Sequence, residues 1–486
     1  MDKIILEKYQ PVIGLEVHAQ LLTKSKIYNS DSAAFGGEPN THVGVVSLAH
    51  PGTLPKLNKE VVVQAIKMGL ACHSEISRYQ IFDRKNYFYP DLPKGYQLTQ
   101  DRTPICVGGF VKVNTREEKD IKVVLNRIHI EEDAGKSIHL KGEEDTLIDL
   151  NRAGVPLIEI VTEPVIKSAE EAGVFFSEIR KIVRYLEICD GNMEEGSLRC
   201  DANISVMKKG ATQLGKKVEV KNMNSIRNLQ HAIDHEISRQ IALLERGEEV
   251  ISETRTFNVE AGTTSAMRTK EELNDYRYFP DPDLSPLQVS EEWLNEIKET
   301  MPELPEELYQ RFVKEYALPE YDAQVLTESK EMADYYLAVC QFSSNYKAVS
   351  NWIMGPVKSH LNETGISIDD FPLVPEKLSE LIELVEKGKL SFANAAQKLL
   401  PELLKTADQD VLSLATRLNL IQDSDEGAID KMVEEVLNDF PAKVKEYKKG
   451  KKGLISMFMG EVMKKSRGKA DPKMASTLLQ KKLSEI

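Results

Sequence analysis

Five short segments of the 486-residue chain set acidic or imidazole side chains into apolar, alternating runs. They are Val-Ile-Gly-Leu-Glu-Val-His-Ala-Gln (12–20), Arg-Ile-His-Ile-Glu-Glu-Asp-Ala-Gly-Lys-Ser (127–137), Pro-Leu-Ile-Glu-Ile-Val (156–161), Ser-Leu-Arg-Cys-Asp-Ala-Asn-Ile-Ser-Val (197–206) and Val-Glu-Val-Lys-Asn (218–222). Successive side chains of a strand point to opposite faces. Ile13, Leu15, Val17, Ala19 and Leu21 therefore share one face, and Glu16, His18 and Gln20 the other. In the same way Leu198, Cys200, Ala202, Ile204 and Val206 turn inward, opposite Arg199, Asp201, Asn203 and Ser205. Arg127, His129 and Glu131 share a face as well, and Glu159 has Leu157 and Val161 as its same-face neighbours. A carboxylate among apolar residues is rarely buried unless it is paired or binds a metal. Carboxylates and a histidine around one cleft suit a hard divalent cation such as Mg²⁺, above all one that also carries phosphate. A lone His18 is more often a satisfied structural residue; the repeated acidic strands favour the metal reading.

The elements that must position these groups are mostly strands up to about residue 290, separated by Gly, Pro, Asn and Asp turns. Two amphipathic helices interrupt them, 167–188, with a Ser-x-x-Glu start at Ser168, and 225–246. Strands with interspersed helices but no regular alternation predict an α+β fold with a mostly antiparallel sheet. Phe279-Pro-Asp-Pro-Asp-Leu-Ser-Pro286 reads as a linker, and beyond it helical periodicity dominates, as in 306–316, 330–340 and 375–387. A second break near Lys405–Asp408 precedes helices at 409–419, 425–438 and 454–465 and a final one. Three domains are expected, 1–292, 293–405 and 406–486.

Charge is uneven: the chain carries a net −14, but residues 441–486 hold 13 Lys and Arg against 4 Asp and Glu. Such a basic end suits a polyanion, although a solvated helical surface has the same composition. Within it Lys451, Lys452, Lys464, Lys465, Arg467 and Lys469 lie beside glycines, which let a backbone approach phosphates, so contact with the shape of folded RNA is expected. The five cysteines are scattered without a Cys-x-x-Cys pair, which argues for reduced thiols in a cytoplasmic protein. No apolar run is long enough to span a bilayer, and the N-terminus is too charged for a signal peptide. Gly135-Lys136-Ser137 is not a P-loop, because Ile130 stands where that motif needs glycine. The segments 83–94 and 275–281 mix aromatics with cations and could hold a nucleotide or an RNA end; a packed aromatic loop fits them equally. No dinucleotide fingerprint, serine-hydrolase elbow or zinc-protease motif occurs.

Taken together and in order, these segments resemble the B-type chain of the aspartyl/glutamyl-tRNA amidotransferases, the GatB family. The resemblance runs from Gly-Leu-Glu-Val-His through Asp-Arg-Lys-Asn-Tyr-Phe-Tyr-Pro-Asp, Glu-Glu-Asp-Ala-Gly-Lys-Ser and Asp-Leu-Asn-Arg-Ala-Gly-Val-Pro-Leu-Ile-Glu-Ile. It continues through Met-Glu-Glu-Gly-Ser-Leu-Arg-Cys-Asp-Ala-Asn-Ile-Ser to Asp-Tyr-Arg-Tyr-Phe-Pro. It implies a β-rich cradle domain, a helical domain and a helical tail that grips tRNA. It also implies a heterotrimeric enzyme in which an A-type amidase partner releases ammonia and a small C-type partner completes the assembly. The B-type chain would use ATP to phosphorylate the side-chain carboxylate of misacylated Glu-tRNA(Gln) or Asp-tRNA(Asn), after which ammonia displaces the phosphate.

By motif match, the family's Mg²⁺ ligands fall on Glu16, His18, Glu131, Glu159, Asp201 and Glu219. Lys136, Arg152, Arg199 and Lys221 would offset phosphate charge, with Ser137 and Asn203 beside the nucleotide. The chain departs from many relatives where they carry a four-cysteine zinc knuckle. The matching stretches here read Tyr28-Asn-Ser30 and Gly44–Gly52, so no zinc is expected and the loop must hold by packing. Two other classes compete with the kinase–transamidase reading: a non-catalytic tRNA-binding scaffold and a metal-dependent nuclease. The basic tail suits the first; the acidic strands suit it poorly, since a carboxylate cleft repels phosphate unless a cation intervenes.

Overall fold

The alternating segments become neighbouring strands of one twisted sheet. We label its long members β1 (Tyr9–Gln20), β2 (Ile121–Glu132), β3 (Pro156–Thr162), β4 (Leu198–Lys208), β5 (Val218–Lys221), β6 (Glu253–Asn258) and β7 (Thr263–Thr269). Their spatial order is β7-β6-β5-β4-β1-β3-β2, continued by the short strands Cys106–Val107 and Glu75–Ile76. Every pairing in this path is antiparallel except β5 with β6. The expected α+β class with a mostly antiparallel sheet is what the chain adopts. The computed structural model describes residues 7–140, 142–269, 276–406, 409–421, 426–466 and 470–485.

One face of this sheet is apolar and covered. Ile13, Leu15, Val17 and Ala19 of β1, Ile158 and Ile160 of β3, and Ala202 and Ile204 of β4 are all fully buried. Helices α1 (Lys59–Ala71), α2 (Ala169–Tyr185) and α3 (Ile226–Glu245) supply the other half of that core, with Phe175, Phe176 and Ile179 from α2 and Leu229 and Ile233 from α3. Each helix begins where a side chain can cap it. Ser168 Oγ accepts from Glu171 N at 3.1 Å, and Ser225 Oγ from Asn228 N at 3.1 Å. Because the helices occupy the apolar face, the polar face stays open, which is where the acidic residues point.

A small three-stranded sheet, with strands Arg277–Pro280, Asp83–Asn86 and Tyr96–Thr99, leans against the β2 end of that polar face. Leu98 N donates to Glu132 Oε1 at 2.8 Å, and Gln97 Nε2 donates to the Glu132 carbonyl. The loop at 28–52, where relatives carry cysteines, is tied by hydrogen bonds as well as packing. Asp31 Oδ2 accepts from Gly44 N at 2.7 Å and from Ser47 Oγ at 2.6 Å, and the buried Lys26 reaches Ser47 Oγ at 3.3 Å. Burial presses the Lys26 ammonium down to about 8 against the opposing pull of Asp31, Glu132 and Asp149.

The strand-rich part forms one unit, Met1–Pro305. It extends past residue 292 because helix Glu291–Glu299 packs on α1 and contributes Leu294 and Ile297 to the same core. The regular elements of the second unit, Glu306–Ile486, are all helices among its described residues. Helices Lys330–Cys340 and Leu454–Lys465 have the bounds that their periodicity predicts. The last helices enclose a core of their own, with Val433, Val436, Phe458, Val462 and Leu479.

Candidate functional site

Register decides which polar groups meet. Glu159 of β3 stands opposite His18 of β1 on one side and His129 of β2 on the other, so three adjacent strands place His18, Glu159 and His129 in one row. Glu131 lies two residues along β2, opposite Leu157, and its side chain reaches back to that row. His18 Nε2 is 3.4 Å from Glu159 Oε2 and 3.8 Å from Glu131 Oε1. His129 Nε2 is 3.3 Å from Glu159 Oε2 and 3.8 Å from Glu131 Oε2. His18, Glu131 and Glu159 each offer one ligand atom within 4.8 Å of the others, the one group of metal-ligand type among the described residues. Two carboxylates and an imidazole, Glu131 buried and His18 and Glu159 less than a fifth exposed, form a donor set that fits a hard divalent cation.

Electrostatics follow the geometry. Burial works against the Glu159 carboxylate's charge, yet the two histidines overcome it and hold the group well below the usual carboxylate range. Burial likewise disfavours a charged His129, but Glu159 and Glu131 prevail and push it up to about 9. His18 is raised for the same reason, with Asp201 adding to the effect of Glu159 and Glu131.

A second group forms around Lys221 of β5. Its Nζ lies 2.8 Å from Asp201 Oδ2 and 3.0 Å from Glu219 Oε1, and Thr254 Oγ1 donates to Glu219 Oε2 at 2.8 Å. Glu16 stands opposite Asp201 and accepts from Asn203 Nδ2 at 2.8 Å. Burial raises the Glu16 carboxylate, and the charges of Glu159 and Glu219 raise it further. The six residues that the resemblance assigns to metal thus share one face but fall into two groups. His18, Glu131 and Glu159 converge, Asp201 and Glu219 close on the Lys221 ammonium, and Glu16 sits beside them with Asn203.

The groups expected beside the nucleotide are mostly engaged with the protein. Asp133, buried, accepts from Arg199 Nη2 at 2.9 Å and Gln20 Nε2 at 2.8 Å, with Arg152 Nε at 3.7 Å. Arg152 also donates to the carbonyls of Ala134 at 2.9 Å and Gly135 at 2.6 Å. Ser137 Oγ donates to Asp91 Oδ2 at 2.9 Å, while Lys136 is exposed at the start of a hairpin strand. The Gly135 loop therefore clings to Asp91 and Arg152.

Sequence pattern leaves two residues beside the metal group unassigned. His129 is visible there, since alternation already puts it on the face of Glu131. Lys85 is not, because it arrives from the small sheet. Burial opposes its charge, but Glu131 and Glu159, with Tyr278 and Tyr276, hold it protonated, and its Nζ lies 4.8 Å above the Tyr276 ring. The neighbouring aromatics Phe88 and Tyr89 are exposed. Asp275, the first residue of the second aromatic segment, lies outside the described residues.

In the tail, Lys451 pairs with Glu446 at 3.1 Å, Lys452 sits 4.4 Å over the Tyr447 ring, and Lys465 pairs with Glu435 at 2.7 Å and Asp439 at 3.2 Å. Lys464 is exposed, and Arg467 and Lys469 lie outside the described residues.

Comparison with known proteins adds independent findings. Residues 11–295 match the family model described as the GatB/GatE catalytic domain, and residues 334–483 match the GatB domain model. The chain is 48% identical over 478 residues to the B-type chain of the aspartyl/glutamyl-tRNA(Asn/Gln) amidotransferase from Thermodesulfovibrio yellowstonii, covering 98% of this chain and 100% of that one. It is 47% identical over 495 residues to the protein of that name from Salinibacter ruber, covering 98% and 97%. With the protein of that name from Persephonella marina it shares 46% identity over 477 residues, covering 98% and 100%.

Proposed function

This chain belongs to the GatB family, and we propose that within a glutamine-hydrolysing tRNA-dependent amidotransferase, a ligase, it is the component that activates misacylated tRNA. In this reading the side-chain carboxylate of Glu-tRNA(Gln) or Asp-tRNA(Asn) attacks the γ-phosphorus of ATP, and ADP departs. Ammonia from a partner amidase then attacks the acyl carbon, and inorganic phosphate leaves as the amide forms. The observation that carries the reading is the convergence of His18, Glu131 and Glu159 on the open face of the sheet.

Those three side chains would hold Mg²⁺, which neutralises phosphate oxygens in the transferring group. The chain's own residues do the rest. The substrate carboxylate is already a nucleophile, so no general base is needed for activation. Lys221, held protonated by Asp201 and Glu219 against the effect of burial, places a fixed positive charge beside the acids. Lys85 brings a second one from the facing small sheet. Arg199 and Arg152, anchored on Asp133, keep the Gly135 loop in place, so their part is to shape the nucleotide side of the cleft. Lys136 and Asn203 remain the groups nearest to hand for the nucleotide itself.

We place the tRNA contact on the basic tail, through Lys451, Lys452, Lys464 and Lys465. Divisions near 305 and 405 would then separate the cradle, a helical spacer and this tail. The partners expected are an A-type amidase and a small C-type protein, which with this chain make a heterotrimer. No helix among the described residues is long and apolar enough to cross a membrane, and all five cysteines are unpaired, in keeping with a reducing cytoplasm.

The scaffold and nuclease readings separate from this one in a single experiment. The assembled complex is incubated with γ-labelled ATP and misacylated tRNA, without an ammonia source. Label on the aminoacyl group is the expected result; unlabelled, intact tRNA would favour a scaffold, and cut RNA a nuclease.

A further inference from the structure

Of the four side chains that meet here, His18, His129, Glu131 and Glu159, three form the group whose donor atoms lie within reach of a common ion. His129 touches both carboxylates and yet stands outside that group. The two histidines approach from opposite neighbouring strands. Both rings address Glu159 Oε2, but they divide Glu131 between them, His18 facing Oε1 and His129 facing Oε2. Thr99 Oγ1, 3.4 Å away, also addresses Glu131 Oε2. One edge of that carboxylate is therefore occupied from behind by His129 and Thr99, and the other is turned to His18.

Burial separates the two rings further. The His18 side chain is 18% exposed, whereas that of His129 is 4% exposed. The remaining ring nitrogen of His129, Nδ1, is buried with no hydrogen-bond partner. The ring's polar contacts are therefore made through Nε2 alone. Nε2 is the nitrogen that addresses Glu159 and Glu131.

We propose that His129 is a positioning residue: it holds Glu131 and Glu159 from the buried side so that both present oxygen toward His18 and a divalent ion between them. The inference deepens the metal reading given above and rests on it. Groups that orient metal ligands change affinity about 10- to 100-fold when removed.

The test is Mn²⁺ binding to the purified, tRNA-free chain in its heterotrimer, read by paramagnetic resonance of the free ion and by calorimetry, with no turnover involved. The variants are His129→Leu, His129→Gln and His129→Asn. Glutamine can place an N–H near the position of Nε2; asparagine is too short to do so. The expected outcome is that His129→Leu and His129→Asn weaken Mn²⁺ binding by at least about tenfold, while His129→Gln stays within a few-fold of wild type. Should the leucine variant fail to fold, the glutamine–asparagine contrast decides alone. Equal Mn²⁺ affinity in all folded variants, or equal loss in Gln and Asn, overturns the role of His129. A wild-type chain that binds no Mn²⁺, or binds it undiminished in His18→Ala, overturns instead the metal reading beneath it, and the inference falls with it.

Discussion

Replacing Lys221 by methionine keeps the aliphatic stem and removes only the charge. The ammonium lies 2.8 Å from Asp201 and 3.0 Å from Glu219, with side-chain exposures of 32%, 16% and 24% for Lys221, Asp201 and Glu219. Fully exposed pairs contribute under about 1 kcal/mol, and breaking a buried one is destabilising by about 3–5 kcal/mol. A triple that is a sixth to a third exposed falls between, and about 2 kcal/mol is expected at pH 8. The pH dependence fixes the cause. Glu219 is depressed in the folded chain by Lys221 and Thr254, despite the opposing effect of burial, so its stabilisation is present above its ordinary value of 4.5 and is lost as pH falls below that through the lowered folded value. Once Lys221 is gone, Glu219 and the already raised Glu16 repel one another and take up protons at higher pH. The penalty of the substitution must therefore shrink on acidification. Urea titrations of wild type and Lys221→Met at pH 8 and pH 5 measure it, and about half the loss or less is expected at the lower pH. A penalty that is constant or grows toward pH 5 would refute the counter-ion role.

Other expectations are narrower. Asp133→Asn removes the charge that Arg199 and Arg152 share. Asp133 is held below its usual range by those arginines and Gln20, against the effect of burial, so the variant should lose about 2–3 kcal/mol at pH 7 and progressively less toward pH 3, seen by chemical denaturation. Ile160→Ala opens a cavity on the covered face directly behind Glu159. It should be destabilising by about 2–5 kcal/mol while leaving Mn²⁺ affinity within a few-fold, and a large affinity loss in a folded variant would contradict the two-faced sheet. In the tail, Lys464→Ala should weaken tRNA binding and flatten its salt dependence more than Lys465→Ala, whose ammonium already pairs with Glu435 and Asp439; filter binding across a salt series distinguishes them.

Much of this architecture is legible in local pattern because the signals are local. Strand alternation in 13–21 and 198–206 assigns every residue to the correct face, since a covered sheet face tolerates only apolar side chains and the period of two leaves no freedom. Ser168 and Ser225 mark helix starts through a hydrogen bond made within three residues. What local pattern does not carry is register between strands distant in sequence. Nothing in Asp83-Arg-Lys-Asn86 says that it will pair with 277–280 and 96–99, so pattern alone cannot bring the Lys85 charge within range of Glu131 and Glu159. The boundary at 292 fails to anticipate that Leu294 and Ile297 complete the first core. Proline punctuation marks where the chain turns, whereas the extent of a unit depends on what the next helix buries.

Register also explains why six acidic or imidazole groups on one face do not form one site. Along β1, Glu16 and His18 are two residues apart, about 7 Å at the rise of a strand. Glu16 is paired with Asp201 in one row, and His18 with Glu159 in the next, with Glu131 one step beyond that. Glu219 lies opposite Asn203, one step on the other side of Glu16. The span from Glu219 to Glu131 is therefore several such steps, on the order of 20 Å between backbones. A divalent ion binds oxygen at about 2.0–2.6 Å, so no single ion can gather the whole set. Charge acts over a longer range: Asp201 still raises His18, and Glu159 still raises Glu16. An acidic face this long needs positive charge at more than one point. At one of them His18, Glu131 and Glu159 are the groups proposed to take an ion, and at the other the sequence supplies the cation itself, as Lys221 between Asp201 and Glu219.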